Sequence, residues 1–380
     1  MQHSGIKKSI SLSRNAELDF WKFLAIIIIV IHHSYMVLED KKVFFVQGSL
    51  FVEFFFIVSG YLMALSASKK PSAKTETLGS ETASFVFKKI KTILPYYIFG
   101  SVATLAANIA YRGFAYIFEP GKLLRVPFTV LFLETSGIPA YNITGANWYL
   151  SAMFLSMLVL YPMLRKWNDL FIKVIAPVVS IMLYGYMLHH DGFLEGWAIW
   201  YGYACKGILR AIAGISLGTV VFSASKWLEK KEVEKWASTV LSVLSTGSML
   251  FSAFLLCRGF NKKSEAIIVL LFFVSATVIA SRKANINAIF QNRFCVYLGK
   301  LSMAIFLTHP ACAKAMNAVA ENFESVAAFR KTGSGEFVFA LVFTLSSVLL
   351  GIICIAVTDP AEKIIKAAYK KKKQVSKTVE

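Results

Sequence analysis

The sequence predicts an all-α, polytopic membrane protein: a bundle of about ten transmembrane helices with both termini cytoplasmic. Three observations carry that prediction. The 380 residues are 56% hydrophobic and 14% aromatic with only 17% charged, and the mean hydropathy is +0.59, more apolar than a water-soluble domain of this length requires for its core. Apolar runs long enough to cross a bilayer recur along the chain, and the basic residues fall in short clusters between them. A net charge of +19 would otherwise suggest nucleic acid, but no single basic face exists, so the expected partner is the lipid bilayer and nucleic acid is excluded.

A hydrocarbon core of about 30 Å needs ~20 apolar residues per helix. Runs of that length lie near residues 18–37, 48–66, 91–110, 146–164, 171–188, 198–222, 237–256, 264–281, 295–316 and 336–357. The stretch 122–134 is apolar but short, and Arg125, Pro127 and Glu134 mark it as an interfacial or re-entrant piece. With the N-terminus inside, the cytoplasmic segments hold 26 of the 41 basic residues, which sets the orientation by the positive-inside rule. The membrane domain is expected over 1–362, followed by a basic cytoplasmic tail over 363–380 that contains Lys370 to Lys373. Five scattered cysteines form neither a disulfide framework nor a metal motif, so no metal is expected.

Chemistry must then reside in the bundle, where ionisable residues are costly and mark function by default. The first run carries Asp19 and Lys22 at one end and His33 at the other. Eleven residues at 100° each return Lys22 and His33 to one helical face, about 16 Å apart. The second run descends from outside and places Glu53 among phenylalanines at a depth similar to that of His33. A carboxylate beside an imidazole is a general base with its orienter, the device that removes a proton from a hydroxyl. A purely structural His–Glu bridge is the bland alternative, as is snorkelling for Lys22. Lys206 and Arg210 share a face of the sixth run at i,i+4 spacing and should meet a polar cavity or a carboxylate, a structural ion pair being the alternative.

These residues resemble a known family. Asp19-x-x-Lys22-x-x-Ala25 followed by His33, and then Glu53-Phe54-Phe55-Phe56-Ile57-Val58-Ser59-Gly60-Tyr61, are similar to the membrane acyltransferase-3 family. Its hallmarks are an Arg or Lys followed by a His at this spacing and an acidic-x-Phe-Phe-x-x-Ser-Gly-Phe segment. Further blocks follow in order: basic residues before Pro95-Tyr96-Tyr97, Asn147-Trp148-Tyr149-Leu150 running to Tyr161-Pro162, Arg210 with a Gly-rich helix, and Phe306-Leu307-Thr308-His309-Pro310. Lys22 stands where many members carry Arg, which keeps the charge but loses the bidentate fork. Thr92 and Met303 also depart from common family residues.

The resemblance implies an O-acetyltransferase that moves an acyl group, usually acetyl from acetyl-CoA, to a hydroxyl of a cell-surface or lipid-linked carbohydrate, in a bacterial cytoplasmic membrane. It carries His33 over as the essential histidine and Lys22 as its basic partner. Joined to the residue reading, it makes His33 the expected base and Glu53 its partner. Lys22, Lys88, Lys89, Lys91, Lys206 and Arg210 are then expected to meet the anionic acyl-CoA, and Trp148, His309, Asn147 and Ser59 the acceptor. Membership of an oligomer or a polysaccharide-synthesis complex is compatible with this reading. The competing reading is a proton-coupled transporter or flippase of a saccharide, for which an inverted repeat would be expected and none is visible.

Overall fold

A computed structural model describes residues 14–38, 44–71, 74–118, 121–140 and 143–379, with side chains to residue 361. Helices dominate it because a backbone in lipid must satisfy its own polar groups, and an α-helix does so within one segment. In chain order they are α1 (Ala16–His32), α2 (Phe51–Ala67), α3 (Leu78–Arg112), α4 (Lys122–Val130) and α5 (Asn147–Lys166). The short α6 (Asn168–Leu170) continues through a π-helical turn, Phe171–Ile175, into α7 (Ala176–Asp191). There follow α8 (Lys206–Glu229), α9 (Lys235–Arg258), α10 (Ala266–Ser281), α11 (Asn287–Phe290), α12 (Arg293–Asn322), α13 (Glu324–Arg330) and α14 (Gly333–Val379).

Nine stretches among the described residues are long and apolar enough to cross a membrane. The tenth expected span corresponds to α1, whose 17 residues run on into a 3-10 turn, His33–Met36, for a rise of about 33 Å. The stretch 122–134 forms only the nine-residue α4 and a turn, too short to cross, in keeping with the interfacial or re-entrant reading. The sixth expected span begins later than the apolar run suggests. Residues Trp200–Tyr201 (β1) and Ala204–Cys205 (β2) make a two-stranded antiparallel hairpin, and α8 starts only at Lys206. Gly192, Gly196 and Gly202 adopt positive φ in this connection, which breaks the helix that hydrophobicity alone would extend. The expected tail beyond residue 362 continues the backbone of α14, and the side chains of Lys370 to Lys373 lie outside the described residues.

The chain divides into two compact units. The first comprises residues 1–29, 45–78 and 159–300. In it α2 and α8 run parallel, with Glu53 beside Arg210 at their starts and Gly60 against Ile215 farther along. Their approach is set by glycine: a Cβ on Gly60 would lie 2.0 Å from the Ile215 carbonyl oxygen, and one on Gly218 2.0 Å from that of Ile57. Antiparallel α7 covers them, and the Ser180 hydroxyl donates to the Ala213 carbonyl at 2.9 Å. Phe272 of α10 packs on Phe51 and Phe54 of α2. Near the far end of α10, the Asn15 amide donates to the Ile279 carbonyl at 2.6 Å and Asn287 donates to Glu17.

The second unit comprises residues 30–44, 79–158 and 301–380. Here α12 is the central element. Gly100 of α3 lies against the Leu307 carbonyl, Gly351 of α14 against Ile305, and Tyr149 of α5 against Phe306, with ring centroids 5.3 Å apart. The turn His33–Met36 is tied to α12 by the Asn317 amide, which donates to the Met36 carbonyl at 2.9 Å.

Candidate active site

The second unit joins two of the expected residues. His33 Nδ1 lies 3.1 Å from His309 Nε2, and the rings stack with centroids 5.2 Å apart at 11°. The hydrogen-bond network assigns the tautomers. His309 Nδ1 is 2.9 Å from the Phe306 carbonyl oxygen and 3.2 Å from that of Ile305. A carbonyl can only accept, so Nδ1 of His309 carries the proton and its Nε2 presents a lone pair. His33 must then donate from Nδ1 to that lone pair, which leaves His33 Nε2 as the basic nitrogen, unprotonated in the neutral ring.

The local sequence explains why the Phe306 carbonyl can serve. In a regular helix it would accept from the backbone N–H four residues on, but that residue is Pro310, which has none. Proline thus frees an acceptor directly beneath the histidine that precedes it. His309 is 2% exposed and is flanked by Phe306 and by Phe343 of α14, so its ring cannot turn to another partner without repacking.

The pairing expected between His33 and Glu53 is corrected by this geometry. Glu53 lies in the first unit, where Arg210 Nε donates to Oε1 at 2.5 Å and the Tyr184 hydroxyl donates to Oε2 at 2.6 Å. Equal depth made an imidazole a plausible partner, but a guanidinium and a phenol satisfy both carboxylate oxygens of a fully buried side chain. His309, expected among the acceptor-contacting residues, occupies the place beside His33 instead.

Three of the six cations expected to meet acyl-CoA, Lys22, Lys206 and Arg210, lie in the first unit, and there Lys22 stands apart from the other two. Lys206 is fully buried, its ammonium 2.7 Å from Asp191 and 2.7 Å from the Phe193 carbonyl, and the Tyr201 hydroxyl also donates to Asp191. Arg210 pairs with Glu53 and reaches the Gly196 carbonyl at 3.3 Å. Both cations thus meet a carboxylate in a buried ion pair. They lie near the start of α10, where Gln47 and the Leu194 N–H bind Glu265, whereas Lys22 pairs with Asp19 at 2.6 Å beside Asn15 and the far end of α10. Sixteen residues of helix, about 24 Å, separate the two groups. In the second unit Lys88 and Lys91 are exposed on α3 and Lys89 is partly so, with Lys89 over Phe85 and Lys91 over Phe87.

Of the expected acceptor residues, Asn147 and Trp148 open α5 in the second unit, whereas Ser59 lies within α2 in the first. Asn147 is buried. Its carbonyl oxygen accepts from the Thr144 hydroxyl at 2.6 Å, and its amide reaches the Tyr97 hydroxyl at a long 3.4 Å. Tyr184, Asp191 and Tyr201 went unrecognised, because a phenol near a span end carries no sequence signal until its carboxylate partner is known. Among the described residues no cluster of His, Cys, Asp and Glu could hold a metal ion.

A family model described as an acyltransferase domain matches residues 15–356, nearly the whole chain. The chain belongs to the acyltransferase-3 family. No curated protein and no solved structure matches it. The match includes both histidines of the dyad and nearly all of the apolar helices, so this acyltransferase is an integral membrane protein.

Proposed function

We propose that this acyltransferase moves an acetyl group from acetyl-CoA to a hydroxyl of a cell-surface or lipid-linked carbohydrate, using His33 as general base. The observation that carries the reading is the His309 tautomer, which makes His33 Nε2 the unprotonated nitrogen of the dyad that is not engaged between the two rings. In the forward step Nε2 takes the hydroxyl proton while the oxygen attacks the thioester carbonyl. The carbon–sulfur bond then breaks and the proton passes to the leaving thiolate. His309 accepts from Nδ1 throughout and holds the ring in place as the imidazolium forms.

Acetyl-CoA is anionic, and in the second unit, which holds the histidine pair, Lys88, Lys89 and Lys91 on α3 are the cations expected to meet it. The positive-inside pattern supports a cytoplasmic side for these lysines and for both termini, and the family resemblance supports a bacterial cytoplasmic membrane. Trp148 and Asn147, at the opposite side by the same pattern, suit the acceptor.

The test incubates purified protein with radiolabelled acetyl-CoA and a panel of glycosides. Wild type should transfer label, and His33→Ala should lower the rate by roughly 10²- to 10⁴-fold, the usual contribution of a general base. The absence of His33-dependent transfer or acetyl-CoA hydrolysis, together with proton-linked sugar uptake in vesicles, would replace this reading with transport.

A further inference from the structure

Between α4 and α5 the second unit holds an unpartnered carboxyl group. Among the described residues, both oxygens of Glu134 are buried without a hydrogen-bond partner. Such a group costs folding free energy unless something completes it.

The surrounding loop is built at further cost to hold it there. Phe132 adopts φ of 55°, a left-handed conformation that a bulky side chain rarely takes. That backbone sends its ring between Tyr97 of α3 and Phe154 of α5, at 5.0 and 5.1 Å. Thr135 anchors the other side, its N–H 3.0 Å and its hydroxyl 2.8 Å from the Ser151 hydroxyl. Glu134 is thus pinned from both flanks, two residues from the Phe132 ring that packs on Tyr97.

The polar groups around it are loosely satisfied. The Tyr97 hydroxyl is 3.4 Å from the Thr129 carbonyl and 3.4 Å from the Asn147 amide, both at the long limit of a hydrogen bond. The cluster also lies close to the histidine dyad. Tyr97 is one turn before Gly100, which touches Leu307, and Asn147 is two residues before Tyr149, which packs on Phe306. Leu307 and Phe306 belong to the turn of α12 that ends in His309.

We propose that Glu134 binds the acceptor: its carboxylate accepts a hydrogen bond from a hydroxyl of the carbohydrate, with Tyr97 and Asn147 completing the contacts. The inference rests on the proposed acyl transfer to sugars and names a subsite for it. A carboxylate suits a neutral polyol, whose hydroxyls donate, and repels the phosphates of acyl-CoA. A structural carboxylate would have found a partner within the fold, as Glu53 and Glu265 do.

The test uses the full chain in nanodiscs with radiolabelled acetyl-CoA and methyl α-glucoside, methyl α-galactoside and methyl α-rhamnoside as acceptor probes. Glu134→Gln should raise the KM of the best glycoside roughly tenfold, and Glu134→Ala more, the scale of one charge-assisted hydrogen bond. The KM of acetyl-CoA and its hydrolysis by water should stay unchanged, and the Tm should not fall. An unchanged glycoside KM, a raised acetyl-CoA KM, or a joint fall of Tm and of both reactions would overturn the assignment. Glycoside binding to His33→Ala protein, read by saturation-transfer NMR, reports the subsite without chemistry. If binding is lost on adding Glu134→Ala, the subsite stands even where the role of His33 fails; if it persists, the subsite is wrong while acyl transfer stands.

Discussion

At the scale of single residues, the geometry of the histidine pair turns on one proton whose place is fixed by a missing one. Pro310 has no N–H, the Phe306 carbonyl is therefore free, and His309 donates to it from Nδ1. Pro310→Ala would restore the helical hydrogen bond and return that carbonyl to the backbone ladder. The expected result is a Tm equal to or above that of wild type with a kcat several-fold lower, because His309 then samples the tautomer that cannot accept from His33. Thermal melts paired with initial rates check it, and unchanged kcat would remove the proline from the account. The sequence shows His33, His309 and Pro310 plainly. It does not show that the two rings meet, because His33 and His309 are 276 residues apart and only packing sets the rotation of the elements that carry them.

At the scale of elements, close helix approach does the work that hydrophobic burial does in water. Lipid tails are as apolar as leucine, so α2 and α8 gain by dispersion contact and by the small residues that allow it. Gly214 and Gly218 are four apart on one face of α8, and they let the α2 backbone and the Tyr184 hydroxyl approach. Gly218→Val would drive a branched side chain into the Ile57 carbonyl and Gly60, and should destabilise the protein by about 1–3 kcal/mol or more. Loss of the detergent-solubilised fold on heating, measured against Gly247→Val at an open position of α9, gives the comparison. The glycines were legible as a Gly-rich helix. Their consequence, that Arg210 comes to lie on Glu53, was not, since it depends on α2 and α8 being parallel neighbours across more than 150 residues of chain. Hydrophobicity likewise misplaced the start of α8, because glycines at positive φ end a helix locally whatever the run of apolar side chains.

At the scale of the whole molecule, Glu134 should leave a signature in the pH dependence of stability. Burial pushes its carboxyl up to about 7, against about 4.3 in an unfolded chain. Between those values the folded protein keeps a proton that the unfolded chain has released, so stability falls as pH rises and levels off above about 7. Glu134→Gln has no such proton, and its stability relative to wild type should grow by about 1–3 kcal/mol from pH 4.5 to 7.5. Melting curves across that range check the sign, and a parallel course for the two proteins would contradict it. What the amino-acid sequence determined by itself was the solvent and the architecture: transfer into lipid sums over contiguous residues, so span number and length follow from run lengths without knowledge of neighbours. Only the tertiary structure decided which charges neutralise one another, which histidine meets His33, and which acid is left without a partner among the described residues. Those are properties of pairs brought together by helix rotation and close backbone approach, and no single stretch of the chain contains them.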